Sequence, residues 1–197
     1  MGVFAFVIVL FPAHTMAEEK SDKREAFVQT LGAEALKVLD DPELNEDKAS
    51  KAVRKWLKDY FDTDTIARFA LGRYWRQATD SEKKEYTGLF NDLIVETYAQ
   101  RLTDYSGEQF KVFGHTEVNK RDTIVHSKII PADEHGPSTQ VDWRVRKDGS
   151  KHKIIDVIVE GVSMSVTQRS DFGSIIQKNG GSVESLLAKL RKKTKKG

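Results

Sequence analysis

The periodicity of the chain changes once, around Ser106-Gly107, and that change constrains the fold more than any other feature. Before it, apolar residues recur every three or four positions, the helical period. Phe27, Leu31, Ala35, Val38 and Leu39 form the first such stripe, broken by Asp41-Pro42. A second runs from about Glu46 to Phe61 through Ala49, Ala52, Val53, Trp56, Leu57, Tyr60 and Phe61. Asp62-Thr63-Asp64 offers capping side chains to a short third helix carrying Ile66, Phe69, Ala70 and Leu71, which Gly72 closes. Thr79-Asp80-Ser81-Glu82 has the capping-box spacing and opens the longest segment, to about Thr103. Its stripe is Tyr86, Leu89, Phe90, Leu93, Ile94, Thr97, Tyr98, Arg101 and Leu102, wide enough to lie across a sheet or a cavity.

After the change come four short runs rich in β-branched and aromatic residues, at about Gln109–Thr116, Thr123–Pro131, Thr139–Arg146 and Lys153–Glu160. Val141, Trp143 and Val145 alternate with Asp142 and Arg144, marking one buried and one wet face. Turn-like separators, Asp148-Gly149 the strongest, predict sequential antiparallel pairing. Two short helices follow, around Asp171–Lys178 and Ser182–Lys193, separated by Gly180-Gly181. Helices, then a meander, then helices predict an α+β fold with the helices against one face of the sheet.

At 197 residues this is one domain. The absence of cysteine excludes a disulfide scaffold, a thiolate metal site and a cysteine nucleophile. Charge is unevenly placed. Residues 1–17 carry none, while the last seven, Arg191 to Gly197, carry five positive charges, so the body between is slightly acidic, 27 basic against 30 acidic. No basic body exists to coat nucleic acid. The tail at 191–197 reads as a solvated helix end or as a weak contact with an anionic membrane surface. At the other end, the unbroken apolar run Val3 to Phe11 is too short to span a bilayer, which takes about 20 residues. With Thr15-Met16-Ala17 after it, residues 1–17 read as a signal peptide and the chain as exported.

Tests for chemistry find little. None of His14, His115, His126, His135 and His152 is spaced to put two imidazoles on one helix face, so no metal site is expected. No glycine-rich phosphate loop occurs. Gly161-Val162-Ser163-Met164-Ser165 sits between a strand and a helix, the context of a nucleophile elbow, but Ser165 replaces the second glycine and no histidine follows His152. A triad of another order could be assembled from Asp156 and His126, since triads are defined by geometry; the structural reading is a strand-to-helix corner. The aromatics Trp56, Tyr60, Phe61, Phe69, Tyr74, Trp75, Tyr86, Phe90 and Tyr98 are dense enough to fill a core or to line an apolar cavity.

Two strings go further. Leu71-Gly72-Arg73-Tyr74-Trp75-Arg76-Gln77-Ala78-Thr79 and Val159-Glu160-Gly161-Val162-Ser163-Met164, in this order around a long helix with a late tyrosine, Tyr98, resemble the MlaC family of periplasmic phospholipid carriers, also called the toluene-tolerance auxiliary family. The resemblance covers about Glu46 to Leu190. It implies an NTF2-like curved sheet of about four strands that, with a helical subdomain, encloses a deep apolar pocket. It divides the chain into a single lipid-binding domain at 18–190 (18–105 mainly helical, 106–162 sheet, 163–190 C-terminal helices) beside the signal and tail.

Function by resemblance is the shuttling of phospholipid across the periplasm, with no catalytic residue and no cofactor beyond the bound lipid. Implied partners are an inner-membrane ABC transporter with a lipid-binding ring protein, and an outer-membrane lipoprotein complex. Tyr98 and Val162 match the family pattern as pocket residues. Leu71, Phe90, Ile94, Leu102, Trp143 and Met164 join them by face and proximity. Arg73 and Arg76 are candidate contacts for a head group or partner, or simply exposed cations at a helix end. Ile66 to Leu71 is similar to a hopanoid-associated subgroup, so a hopanoid or other polycyclic lipid is the alternative cargo. An NTF2-like binding module with a filled pocket is the alternative without transport.

Overall fold

The computed structural model describes residues 22–102, 107–133 and 136–194, so the expected signal peptide lies outside the described residues. Four helices come first: α1 (Lys23–Leu39), α2 (Glu46–Tyr60), α3 (Thr63–Leu71) and, after a 3-10 turn at Gly72–Arg76, α4 (Asp80–Leu102). Each starts where a side chain can satisfy the free amides of the first turn. Asp22, Asn45 and Asp62 accept from the amides of Arg24, Lys48 and Thr65. At α4 the capping box closes both ways, Glu82 N donating to Thr79 Oγ1 at 3.2 Å and Thr79 N to Glu82 Oε2 at 2.7 Å. Gly72 ends α3 at φ +59, where a Cβ would meet Arg169 Nε at 2.8 Å; only glycine lets that guanidinium lie across the helix end.

The strands β1 (Gln109–Glu117), β2 (Asp122–Ile130), β3 (Thr139–Asp148) and β4 (Lys151–Val159) form the expected antiparallel meander. A two-residue β5 (Val162–Ser163) adds a fifth strand through a tight turn, with Glu160 and Gly161 both at positive φ (49 and 78). One face of the sheet packs on α1, α2 and α4, bringing Val125, Val145 and Ile154 against Val28, Val53, Tyr60, Val95 and Ala99. The α2–α3 joint is pinned to the sheet where Asp62 N donates to Ile154 O at 2.9 Å.

The last helices are α5 (Met164–Lys178) and α6 (Val183–Thr194). Helix α5 begins seven residues before the expected Asp171, because Ser163 caps it through Val166 N. Arg191 to Thr194, within the expected basic tail, continue α6, and Arg191 Nε donates to Glu85 Oε1 at 2.5 Å. Helix α6 joins α3, α5 and the first half of α4 in a second core of Ala67, Ala70, Leu71, Tyr86, Phe90, Phe172, Ile176 and Leu187. Helix α4 is thus shared, and Ile94 packs against both cores.

Candidate functional site

The residues expected to line a pocket separate into three depths. Leu71 and Phe90 are 2% exposed in the helical core, where the Phe90 ring meets Phe172 edge-on at 6.3 Å. Ile94 bridges from there to the sheet-side core, which holds Trp143. Trp143 is half-buried. Its ring meets Phe110 edge-on at 6.2 Å, and its Nε1 donates to Ser127 Oγ at 2.9 Å, which in turn donates to Val141 O at 2.6 Å. A buried polar pair therefore sits among aliphatic neighbours with its hydrogen bonds satisfied. Tyr98, one turn beyond Ile94, is 39% exposed, and Val162 is 53% exposed. Met164 is half-buried at the first position of α5, and the side chain of Leu102 lies outside the described residues.

Strand register shows what surrounds Val162. It pairs with Val159, which pairs with Val141, which pairs with Ser127, two residues from Ile129 on the same face of β2. The helix-facing side of the sheet thus carries Val162, Val159 and Val141 beside the buried Ser127, with Ile129 further along β2; Ile129 and Val162 are exposed, and Val166 of α5 is exposed as well. Ile129 and Val166 are not among the residues expected from sequence; alternation in β2 (Thr123, Val125, Ser127, Ile129) puts Ile129 on the helix-facing side.

The Ser163 corner is a structural knot. Ser163 Oγ donates to Asp156 Oδ2 at 2.5 Å and accepts from Val166 N at 3.1 Å, while Ser165 N donates to Asp156 Oδ1 at 3.0 Å. His126 is engaged elsewhere, its Nδ1 with Asp142 Oδ1 at 3.0 Å and its Nε2 with Thr116 Oγ1 at 2.9 Å. With the hydroxyl donating to a carboxylate and no imidazole bonded to it among the described residues, the corner caps a helix and does not assemble a triad. Among the described residues no cluster of His, Asp and Glu could hold a metal ion. None of the described helices is long and apolar enough to cross a membrane.

Arg73 and Arg76 line an open cleft of about 580 Å3 with Arg68, Arg146, Arg169, Thr65, Phe69, Gly72 and Trp75. Arg169 lies over the Phe69 ring at 5.1 Å, and Arg73 donates to Tyr74 Oη at 2.9 Å. Among the described residues Arg146 is the only one of the five in an ion pair with a carboxylate. Its Nε and Nη2 grip Asp122 at 2.7 and 2.9 Å, and Arg144 Nη2 adds a third bond at 2.9 Å. The Arg146 hydrogen bond, helped by that of Arg144, holds the buried Asp122 carboxyl well below the usual carboxylate range.

Residues 29–192 match the family described as MlaC protein. The chain belongs to the MlaC family. A curated relative, the intermembrane phospholipid transport system binding protein MlaC of Haemophilus influenzae, is 24% identical over 180 residues, 90% of this chain and 80% of its own length. The toluene tolerance protein ttg2D of Pseudomonas putida is 21% identical over 69% of this chain and 63% of its own. Among solved structures, a phospholipid-binding protein from Ralstonia solanacearum in complex with a phospholipid superimposes with a TM-score of 0.77 at 25% identity. That match covers 87% of this chain and 97% of the other. The MlaC resemblance carried by residues 71–79 and 159–164 therefore extends over residues 29–192.

Proposed function

We propose that this chain is a periplasmic phospholipid carrier that takes the acyl chains of its cargo at the apolar end of the helix-facing sheet surface. It would move lipid between an inner-membrane ABC transporter with its lipid-binding ring protein and an outer-membrane lipoprotein complex. The observation that carries the reading is a fold that superimposes on a phospholipid-bound relative, with Tyr98, Ile129 and Val162 each exposed on it. Each CH2 taken out of water contributes about 0.8 kcal/mol, so a diacyl lipid crosses an aqueous space only with its tails covered. Leu71 and Phe90 support the wall from behind, Ile94, Trp143 and Met164 stand at intermediate depth, and Leu102 follows Tyr98 by one turn on α4.

Carrying lipid needs burial and no reacting group, consistent with a Ser163 hydroxyl occupied as a cap. Native mass spectrometry of the purified chain is the test: a co-purifying phospholipid is expected. A bound hopanoid would redirect the cargo, and a chain free of lipid after reloading with phospholipid vesicles would overturn the carrier. Val162→Glu and Tyr98→Glu should each abolish the bound mass, and undiminished lipid in both would remove the rim from the site.

A further inference from the structure

The arginine cleft is lined mainly by cations, where acyl chains need apolar cover, and its composition sets it apart from the rest of the surface. Five of the eleven arginines of the chain line it and none of the 21 lysines, in a body that is otherwise slightly acidic. They come from four separate stretches: Arg68 on α3, Arg73 and Arg76 on the 3-10 turn, Arg146 on β3 and Arg169 on α5. No carboxylate lines the cleft, and among the described residues Arg68, Arg73, Arg76 and Arg169 make no ion pair with one. Like charges gathered without counter-charges repel, so the fold holds them together against their own electrostatics. Arginine differs from lysine in presenting a planar fork that matches carboxylate or phosphate through two parallel bonds.

Shape narrows the ligand. A second hollow of about 240 Å3 shares Gly72, Arg73 and Arg169 with the first and continues past Gly173 and Gln177. Arg169, Gly173 and Gln177 are four residues apart and so lie on one face of α5, giving the groove a floor about 12 Å long at 1.5 Å per residue. The missing side chain at Gly173 leaves that floor open, since a Cβ there would touch nothing. A single inorganic anion needs a compact cradle, and a flat bilayer cannot enter a recess. An extended peptide of about four residues, at ~3.3 Å each, matches the length.

We propose that this groove between the 3-10 turn and α5 binds a short, extended, acidic segment of a partner protein, its carboxylates forked by Arg68, Arg73, Arg76 and Arg169. Phe69 and Trp75 supply apolar walls for the stems of those side chains. Arg146 keeps its bond to Asp122 and contributes the remaining positive field.

The test uses the full chain and a short Asp/Glu peptide, followed by NMR of the arginine Nε–H groups and the Trp75 indole N–H. Saturable shifts at these signals are expected. Affinity should fall about tenfold or more in Arg73→Ala/Arg76→Ala and in Arg169→Ala. Arg76→Lys, which keeps charge without the fork, should fall between, while Lys192→Ala/Lys193→Ala should bind as the unaltered chain does. All four arginines are exposed, and the amide spectrum of each variant shows whether it remains folded. Absence of a saturable shift, or shifts confined to the C-terminal lysines, overturns the proposal. So does displacement by inorganic phosphate at concentrations below those of the peptide, or stronger engagement of the same signals by phosphatidylglycerol vesicles. The arginine variants should retain their co-purified lipid, which keeps this result separate from the carrier reading.

Discussion

The two cores that share α4 are built for different ends. On the helical side Tyr86 and Phe90 each meet Phe172 edge to face and meet each other at a tilt, with ring centroids 5.9 to 6.3 Å apart, and Tyr86 Oη donates to Ala67 O at 3.0 Å from a fully buried position. Burial with only a neutral partner pushes the Tyr86 hydroxyl far above its ordinary pKa. On the sheet side the packing is as dense at Val125, Val145 and Ile154 but opens toward one end, where Trp143 is half-buried and Ile129 and Val162 face solvent. On the carrier function proposed above, a chain that must both keep its shape and take up a flexible apolar ligand separates the tasks. One core is closed by aromatics and the other ends in replaceable contacts.

Mutation should expose that division through stability, measured by urea denaturation. Phe90→Ala should have the largest effect, about 3–5 kcal/mol, because the closed core has no means of filling the void. Asp122→Asn should cost about 2 kcal/mol by weakening the charge-assisted bonds to Arg144 and Arg146. Its pH dependence has a definite sign. The folded carboxyl titrates lower than the unfolded one, so its contribution is complete above the unfolded value near ~4 and is lost as pH falls toward the folded value. The gap between this variant and the parent chain should therefore close on acidification, and a constant gap would mean that the carboxylate charge is not what stabilises. Thr79→Ala should cost about 1 kcal/mol, the worth of one helix cap. Val162→Glu and Tyr98→Glu should change stability by no more than about 0.5 kcal/mol while removing bound lipid. If Val162→Glu unfolds the chain as readily as Phe90→Ala does, the two cores are not functionally distinct.

Much of this was legible in one dimension wherever the cause is local. The four strands fall within two residues of their expected ends, because alternation and turn residues are short-range signals. Capping at Thr79 and helix termination at Gly72 follow from the chemistry of single residues. The start of α5 was not legible. Residues 164–170 are mostly polar, and the Ser163 cap is held in place by Asp156, seven residues upstream on β4. Of the five arginines in the cleft, Arg73 and Arg76 drew attention because they are neighbours in sequence, but Arg68, Arg146 and Arg169 join them only through packing.

The sequence by itself determined the order of elements, the antiparallel meander, the long helix and the family strings at 71–79 and 159–164. Periodicity says which face of a helix or strand is apolar. It does not say what that face meets, so only the tertiary structure decided that Phe90 is enclosed while Tyr98, two turns further along α4, stands at an open edge. Charge obeys the same limit, since a lone arginine in sequence becomes part of a field only when folding brings others beside it.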